Sequence, residues 1–271
     1  MVNEQTVLTS TPDPAVFKTN AFFVIGAPKC GTTSWAKHLS DHTEVAFSDP
    51  KEPHFFSSDY PFDPDGLATL ESYLKLFPTT SEVTRFGEGS VFYLYSEDAV
   101  RRIEETTNKG ARYIVCLRDP VLASFSLHAQ HVAFGWEPER DYLKALRRSE
   151  AESLLANPDP KLAHVLRYAH FYRYGDHIER LLRDVDQTRI FFIVIERDWG
   201  DSNDLYARLH RFLGLSERQV DHEVRVNEAR RIKSELIYRM LKSTQGLAMA
   251  HLARRLFCTQ GFRSEAPYPQ D

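Results

Sequence analysis

A short apolar run, Phe22-Phe23-Val24-Ile25, opens into Gly26-Ala27-Pro28-Lys29-Cys30-Gly31-Thr32-Thr33-Ser34-Trp35, and this stretch constrains the chain more than any other. Consecutive apolar residues bounded by glycine read as a buried strand, and an amphipathic pattern from Thr32 to about Ser40 reads as the helix that follows it. Glycines at the turn let backbone N–H groups approach an anion. Thr32, Thr33 and Ser34 then open a helix whose first-turn N–H groups and dipole favour phosphate. Gly26 and Gly31 have Walker A separation, but Thr32 stands at the lysine position and Lys29 lies inside the loop. On its own such a loop is either an anion site or only a turn.

Two more apolar runs, Arg112–Leu117 and Arg189–Ile195, read as buried strands, and Val45-Ala46-Phe47 as a short one. Phe86-Gly87-Glu88-Gly89-Ser90 is ambiguous between strand end and loop. Helical patterns lie between these runs. One carries Leu67, Leu70, Leu74 and Phe77, and another covers about 97–108 after Ser96. A third begins at Pro120 behind a capping Asp119, and a fourth starts at Ser202 and stops at Gly214. Strands separated by helices imply parallel crossovers, hence an α/β three-layer sandwich with a central parallel sheet and a P-loop-like loop. Ligands in such sheets bind beyond the carboxyl ends of the strands, where Gly26–Gly31 and Arg118 both fall. Residues 1–20 read as a flexible leader, 21–257 as one domain and 258–271 as a tail. Basic residues around Arg230 and Arg254 read as a solvated helix face.

Composition narrows the function classes. With 271 residues, 42% hydrophobic and 27% charged, the chain has the make-up of an ordinary globular protein, and its net charge of −4 lacks the basic excess of general nucleic-acid binders. Any anion site must therefore be local. Three cysteines, Cys30, Cys116 and Cys258, have neither disulfide-framework nor metal spacing, so a reducing, cytoplasmic setting is expected. No stretch has the length and apolarity of a membrane span.

Three local signals meet: the displaced-lysine loop, the turn Lys51-Glu52-Pro53-His54-Phe55-Phe56, and Leu117-Arg118-Asp119-Pro120 with Ser126 eight residues after Arg118. Together they resemble the sulfotransferases that use 3′-phosphoadenosine-5′-phosphosulfate, particularly the carbohydrate and bacterial branch that includes the heparan sulfate enzymes. Glu88–Tyr95 and Ile195-Glu196-Arg197-Asp198 are also similar to family segments, and the resemblance runs in the family's order from about residue 21 to 215. It implies that Lys29, Cys30, Gly31, Thr32, Thr33 and Ser34 hold the 5′-phosphosulfate, and that Arg118 and Ser126 hold the 3′-phosphate. It implies further that Glu52 is the general base, with His54 orienting the acceptor or assisting it.

Chemistry agrees with that assignment. Arg118 offers a planar fork suited to phosphate, with an ion pair to a carboxylate as the structural alternative. Lys29 places a point charge where charge develops on the leaving oxygen of an in-line transfer. The resemblance implies no metal and leaves 3′-phosphoadenosine-5′-phosphate as the product. The expected acceptor is a hydroxyl, or less readily an amine, of a carbohydrate or small natural product. Two departures stand out: Gly89 occupies a position where the family often has lysine, and the cysteine-containing carboxyl-terminal loop is not recognisable. His128 and His131, three apart on a predicted helix, face one side and are open between acceptor contact and structure. Two readings compete: a P-loop kinase or nucleoside triphosphatase with Asp119 on Mg²⁺, and a non-catalytic nucleotide-binding protein.

Overall fold

The computed structural model describes residues 11–60, 67–150, 160–198 and 202–217. The tail over 258–271, the basic segment around Arg230 and Arg254, and Cys258 lie outside the described residues. The chain groups into two compact units; among the described residues the first takes in those up to 123 and those from 171, the second those from 124 to 170.

The first unit begins with a difference. The sequence places a flexible leader over 1–20, yet Pro14–Asn20 is helix α1. Pro14 stands at its start, the Asp13 carboxylate accepts the Ala15 N–H at 2.7 Å, and Phe17 is buried against Tyr73, Phe77 and Phe86. A proline at the first helical position, a capping aspartate and one buried aromatic are enough to fix the segment.

Strand β1 (Ala21–Gly26) follows, buried at all six residues, then helix α2 (Thr32–Ser40) and strand β2 (Val45–Phe47). Helix α3 covers only Leu70–Leu74, shorter than its apolar periodicity predicts, because a Thr69–Ser72 capping box starts it late. Strand β3 (Arg85–Glu88) resolves the ambiguous segment, and helix α4 (Ala99–Thr107) begins where the Ser96 hydroxyl accepts the Asp98 and Ala99 N–H groups. Strand β4 is Arg112–Leu117. Helix α5 (Pro120–Ala133) starts with the Asp119 carboxylate accepting the Leu122 N–H at 2.9 Å, as its sequence predicts.

The second unit holds most of α5, then α6 (Tyr142–Arg148), α7 (Pro160–Val165) and most of α8 (Tyr168–Phe171). Its interior is a polar network. Glu137, fully buried, takes Arg148 at 2.5 Å and the Tyr168 hydroxyl at 3.1 Å.

The chain returns to the first unit with α9 (Tyr174–Asp184), strand β5 (Ile190–Val194), α10 (Ile195–Asp198) and α11 (Ser202–Leu213). The five strands pair in the order β2-β3-β1-β4-β5, all parallel, with helices flanking the sheet, so the fold is the α/β architecture with a central parallel sheet. β1, at the centre, has β3 and β4 on either side. The carboxyl ends of β1, β3 and β4 therefore lie side by side and carry the loop after Gly26, the Glu88-Gly89-Ser90 turn and Arg118.

Candidate functional site

The loop after β1 is held by backbone geometry that glycine makes possible. Gly31 has φ 77° and serves as the N-cap of α2, and being glycine it offers no side chain to cap the first turn. The Ser34 N–H bonds the Gly31 carbonyl at 3.0 Å, which leaves the N–H groups of Thr32 and Thr33 as those the start of α2 would offer an anion. A Cβ on Gly26 would come within 2.9 Å of the Leu94 Cβ and 3.0 Å of the Val91 carbonyl oxygen, so only glycine lets this turn pass. Ala27 N–H bonds the Cys116 carbonyl at 2.7 Å and ties the loop to β4. Thr32 is buried, while Thr33 and Ser34 are half-buried beside it on α2.

Lys29, inside the loop, is half-buried with φ 62°. Burial, followed by the Arg118 charge, presses its ammonium below the usual lysine range, while Cys30 and Glu52 pull the other way. Lys29 therefore lies within electrostatic reach of both Arg118 and Glu52. Cys30 is wholly buried, its thiol pushed up to about 12 chiefly by that burial, which makes it an inert packing group.

Glu52 lies on the turn after β2, with φ 66°, and its side chain is 34% exposed. One carboxylate oxygen is 2.6 Å from Lys51 Nζ, and the other is 3.7 Å from His54 Nε2, an electrostatic contact beyond hydrogen-bond range. Burial pushes the carboxyl up, but the facing His54 ring and the Lys51 charge outweigh it and hold Glu52 at about 2. His54 has φ 54° and is buried. Its N–H donates to Ser90 Oγ at 3.1 Å, and the Phe56 N–H donates to the Tyr93 hydroxyl at 3.1 Å.

These moorings lead to Glu88, 1% exposed at the end of β3, which accepts the Tyr93 hydroxyl at 2.9 Å and the Tyr73 hydroxyl at 3.0 Å. Burial pushes Glu88 up to about 7 against those hydrogen bonds. A glutamate in that environment is protonated below neutral pH and ionises only near it, and it acts as a hydrogen-bonded post.

Of the residues expected at the site, Lys29, Cys30, Gly31, Thr32, Thr33, Ser34, Glu52, His54 and Arg118 all belong to the first unit. Ser126 is half-buried on α5 in the second unit. His128 and His131 are buried there; His128 Nε2 lies 2.9 Å from the Glu139 carbonyl, and His131 Nδ1 lies 3.2 Å from the Tyr168 hydroxyl. Both pack into the Glu137 network, which decides the open choice in favour of structure. Lys51, Glu88, Ser90 and Tyr93 were not singled out by the residues alone. Lys51 carried a local signal, adjacency to Glu52, whereas the others carried none, because their roles arise from strand register.

A parallel α/β sheet whose central strand runs through a glycine-bounded loop into a helix N-terminus has the P-loop-like architecture. The relatives are narrower than that class. Over 115 residues the chain is 31% identical to the membrane-associated sulfotransferase kil1 of Dictyostelium discoideum, covering 42% of this chain and 23% of that one. Over 201 residues it is 27% identical to the bifunctional heparan sulfate N-deacetylase/N-sulfotransferase 4 of Mus musculus, covering 72% and 22%. The crystal structure of a sulfotransferase from Alicyclobacillus acidocaldarius superposes with a TM-score of 0.63 at 27% identity, covering 72% of this chain and 81% of that one. No family model matches. By sequence over part of its length and by fold, the chain is similar to sulfotransferases. It spans less than a quarter of the length of the two curated relatives. No helix among the described residues is long and apolar enough to cross a membrane.

Proposed function

We propose that the chain transfers a sulfuryl group from 3′-phosphoadenosine-5′-phosphosulfate to a hydroxyl, or less readily an amine, of a carbohydrate or small natural product. The observation that carries this reading is that Lys29, in the loop after the central strand, lies within electrostatic reach of both Arg118, after the neighbouring β4, and Glu52. Two cations at separate positions suit a donor with two separate anionic ends, and a carboxylate beside them suits an acceptor that must lose a proton. The N-deacetylase/N-sulfotransferase relative supports a carbohydrate acceptor. Buried, free Cys30 and Cys116 suit a reducing, cytoplasmic setting.

The residues divide the work as follows. The α2 N-terminus with Gly31, Thr32, Thr33 and Ser34 receives the 5′-phosphosulfate, and Cys30 packs beneath it. Arg118 takes the 3′-phosphate. Lys29 stabilises charge on the phosphate oxygen that leaves as the sulfur–oxygen bond breaks. Glu52 receives the acceptor proton as the new oxygen–sulfur bond forms, with His54 orienting it. A carboxylate held near 2 accepts protons poorly, so Lys51 must turn from Glu52 toward the incoming sulfuryl oxygens for Glu52 to act.

The test has two stages. Calorimetry with 3′-phosphoadenosine-5′-phosphate should show tight binding that survives Glu52→Gln. Labelled donor incubated with glycan acceptors and cell extract should give a labelled product with the wild type and lose it in that variant. No nucleotide binding, or transfer unchanged in Glu52→Gln, overturns the assignment.

A further inference from the structure

Two tyrosines just before and at the start of α9 touch both halves of the candidate donor site, and nothing in their sequence surroundings marks them. The Tyr172 hydroxyl is buried and lies 3.1 Å from the Pro28 carbonyl oxygen and 3.1 Å from the Ala123 carbonyl oxygen, so its single proton serves the loop after β1 and the first turn of α5 together. The Tyr174 hydroxyl lies 3.4 Å from Cys30 Sγ, in the same loop, and the backbone of Arg118, at the end of β4, is near enough to act on it electrostatically. The two rings meet edge to face at 5.8 Å. Behind them α9 is anchored by buried His177 and Leu181 and by Arg180, which donates to the Leu94 carbonyl at 2.7 Å.

We propose that Tyr172 and Tyr174 are positioning residues that brace the Pro28–Cys30 loop against the Arg118–Ala123 turn, holding the two anion-binding segments at the separation the donor's two ends require. This rests on the donor assignment above. Pro28 and Cys30 flank Lys29, and Arg118 and Ala123 bracket the start of α5, so Tyr172 bonds both segments directly, while Tyr174 reaches Cys30 and packs edge to face on Tyr172. A donor that engages both segments gains from their fixed spacing, because the second contact becomes intramolecular. A ligand reaching only one segment gains nothing from the brace. Neither hydroxyl needs to touch the donor.

Three probes separate the brace from local damage: adenosine 3′,5′-bisphosphate, which spans both segments, and adenosine 5′-monophosphate and adenosine 3′-monophosphate, which each reach one. Binding is measured by calorimetry for the wild type, for Tyr174→Phe and for the double variant with Tyr172→Phe, all of which keep the rings and lose only hydroxyls. The bisphosphate should weaken by about tenfold or more in the double variant while both monophosphates stay within about twofold. Tyr174 is half-exposed, so its single variant folds if the double one does not, and it should show the same asymmetry at smaller size. Monophosphates weakened as much as the bisphosphate, or a bisphosphate affinity unchanged in the variants, overturns the brace and leaves the donor assignment standing. A wild type that binds none of the three probes overturns the donor assignment and the brace with it.

Discussion

Replacing Lys51 with methionine keeps the stem and removes the charge that sits 2.6 Å from Glu52. Two unit charges about 4 Å apart interact by about 4 kcal/mol at an effective dielectric constant near 20. The side chains here are 22% and 34% exposed, and solvent screening discounts the net coupling to about 1–3 kcal/mol, or about one to two pH units. The carboxyl of Glu52 should accordingly rise from about 2 to about 3–4, with burial pushing the same way and His54 and the more distant Lys29 ammonium still opposing it. The sign follows from the lowered folded-state value: this carboxylate contributes stability above its unfolded value of 4.5, lost as pH falls through about 2, and Lys51→Met moves that loss to higher pH. A carbon-13 carboxylate titration, assigned with Glu52→Gln, reads the value directly, and the acid limb of kcat/KM should move with it. Lys51→Arg should keep the carboxyl low. Titration curves of wild type and Lys51→Met that coincide within half a pH unit would refute the reasoning.

Glu88, pushed up to about 7 by burial, titrates above its unfolded value of 4.5, so the fold should lose stability as pH rises from about 4.5 to 7 and level off beyond; Glu88→Gln should flatten that decline in urea unfolding followed across pH. Arg118→Ala should weaken adenosine 3′,5′-bisphosphate by about 10- to 100-fold and leave adenosine 5′-monophosphate nearly unchanged, a contrast calorimetry resolves. Arg189 grips Glu104 through two bonds of 2.8 and 2.6 Å, while the Tyr113 hydroxyl holds the same carboxylate at 2.8 Å. Arg189→Met strands that buried charge and should cost about 3 kcal/mol, visible as a lower unfolding midpoint.

The strands legible in the sequence are those written as consecutive apolar residues, Phe22–Ile25, Ile114–Leu117 and Ile190–Val194, although at the sheet edge Phe191, Phe192 and Val194 are only half-buried where the sequence reads a buried strand. β3 is different, since Arg85–Glu88 contains one large apolar residue. Its place beside β1 depends on Gly87, where a Cβ would stand 2.4 Å from the Phe22 ring and 2.6 Å from the Phe47 ring, a close approach no local pattern announces. The loop after β1 and the helix behind it were legible because glycine spacing and a following helix are local features, and Asp119–Pro120 likewise. Glu52 stood out through resemblance alone, because a carboxylate on a turn carries no signature of its own. Its ion pair to Lys51, the Ser90 and Tyr93 moorings, the Glu137 network around His128 and His131, and the tyrosine pair before α9 all join residues far apart in the chain or fix geometry that spacing leaves free.

Backbone strain offers an independent view of the same residues. Among the described residues, the non-glycine positions at positive φ are Lys29, Glu52, His54, Asn108 and Lys109. Asn108 is the left-handed C-cap of α4, and Lys109 continues that turn with its N–H on the Glu104 carbonyl, an ordinary helix ending. Lys29, Glu52 and His54 close no helix, and such conformations cost about 1 kcal/mol or more apiece and persist where surrounding contacts over-determine them. At Lys29 the charge is also disfavoured, since burial and Arg118 both act against it. Lys29→Gly relieves the backbone and the repulsion, and glycine's greater unfolded-state freedom offsets part of the gain, by about 0.5–1 kcal/mol. The variant should therefore be at least as stable as the wild type in urea unfolding, although it should lose donor turnover. Lys37→Gly, inside α2 with ordinary helical geometry, should instead cost about 1 kcal/mol. A Lys29→Gly protein destabilised as much as Lys37→Gly would mean that the loop gains from its lysine in the empty state, and that the strain at Lys29 is not held for the sake of a bound anion.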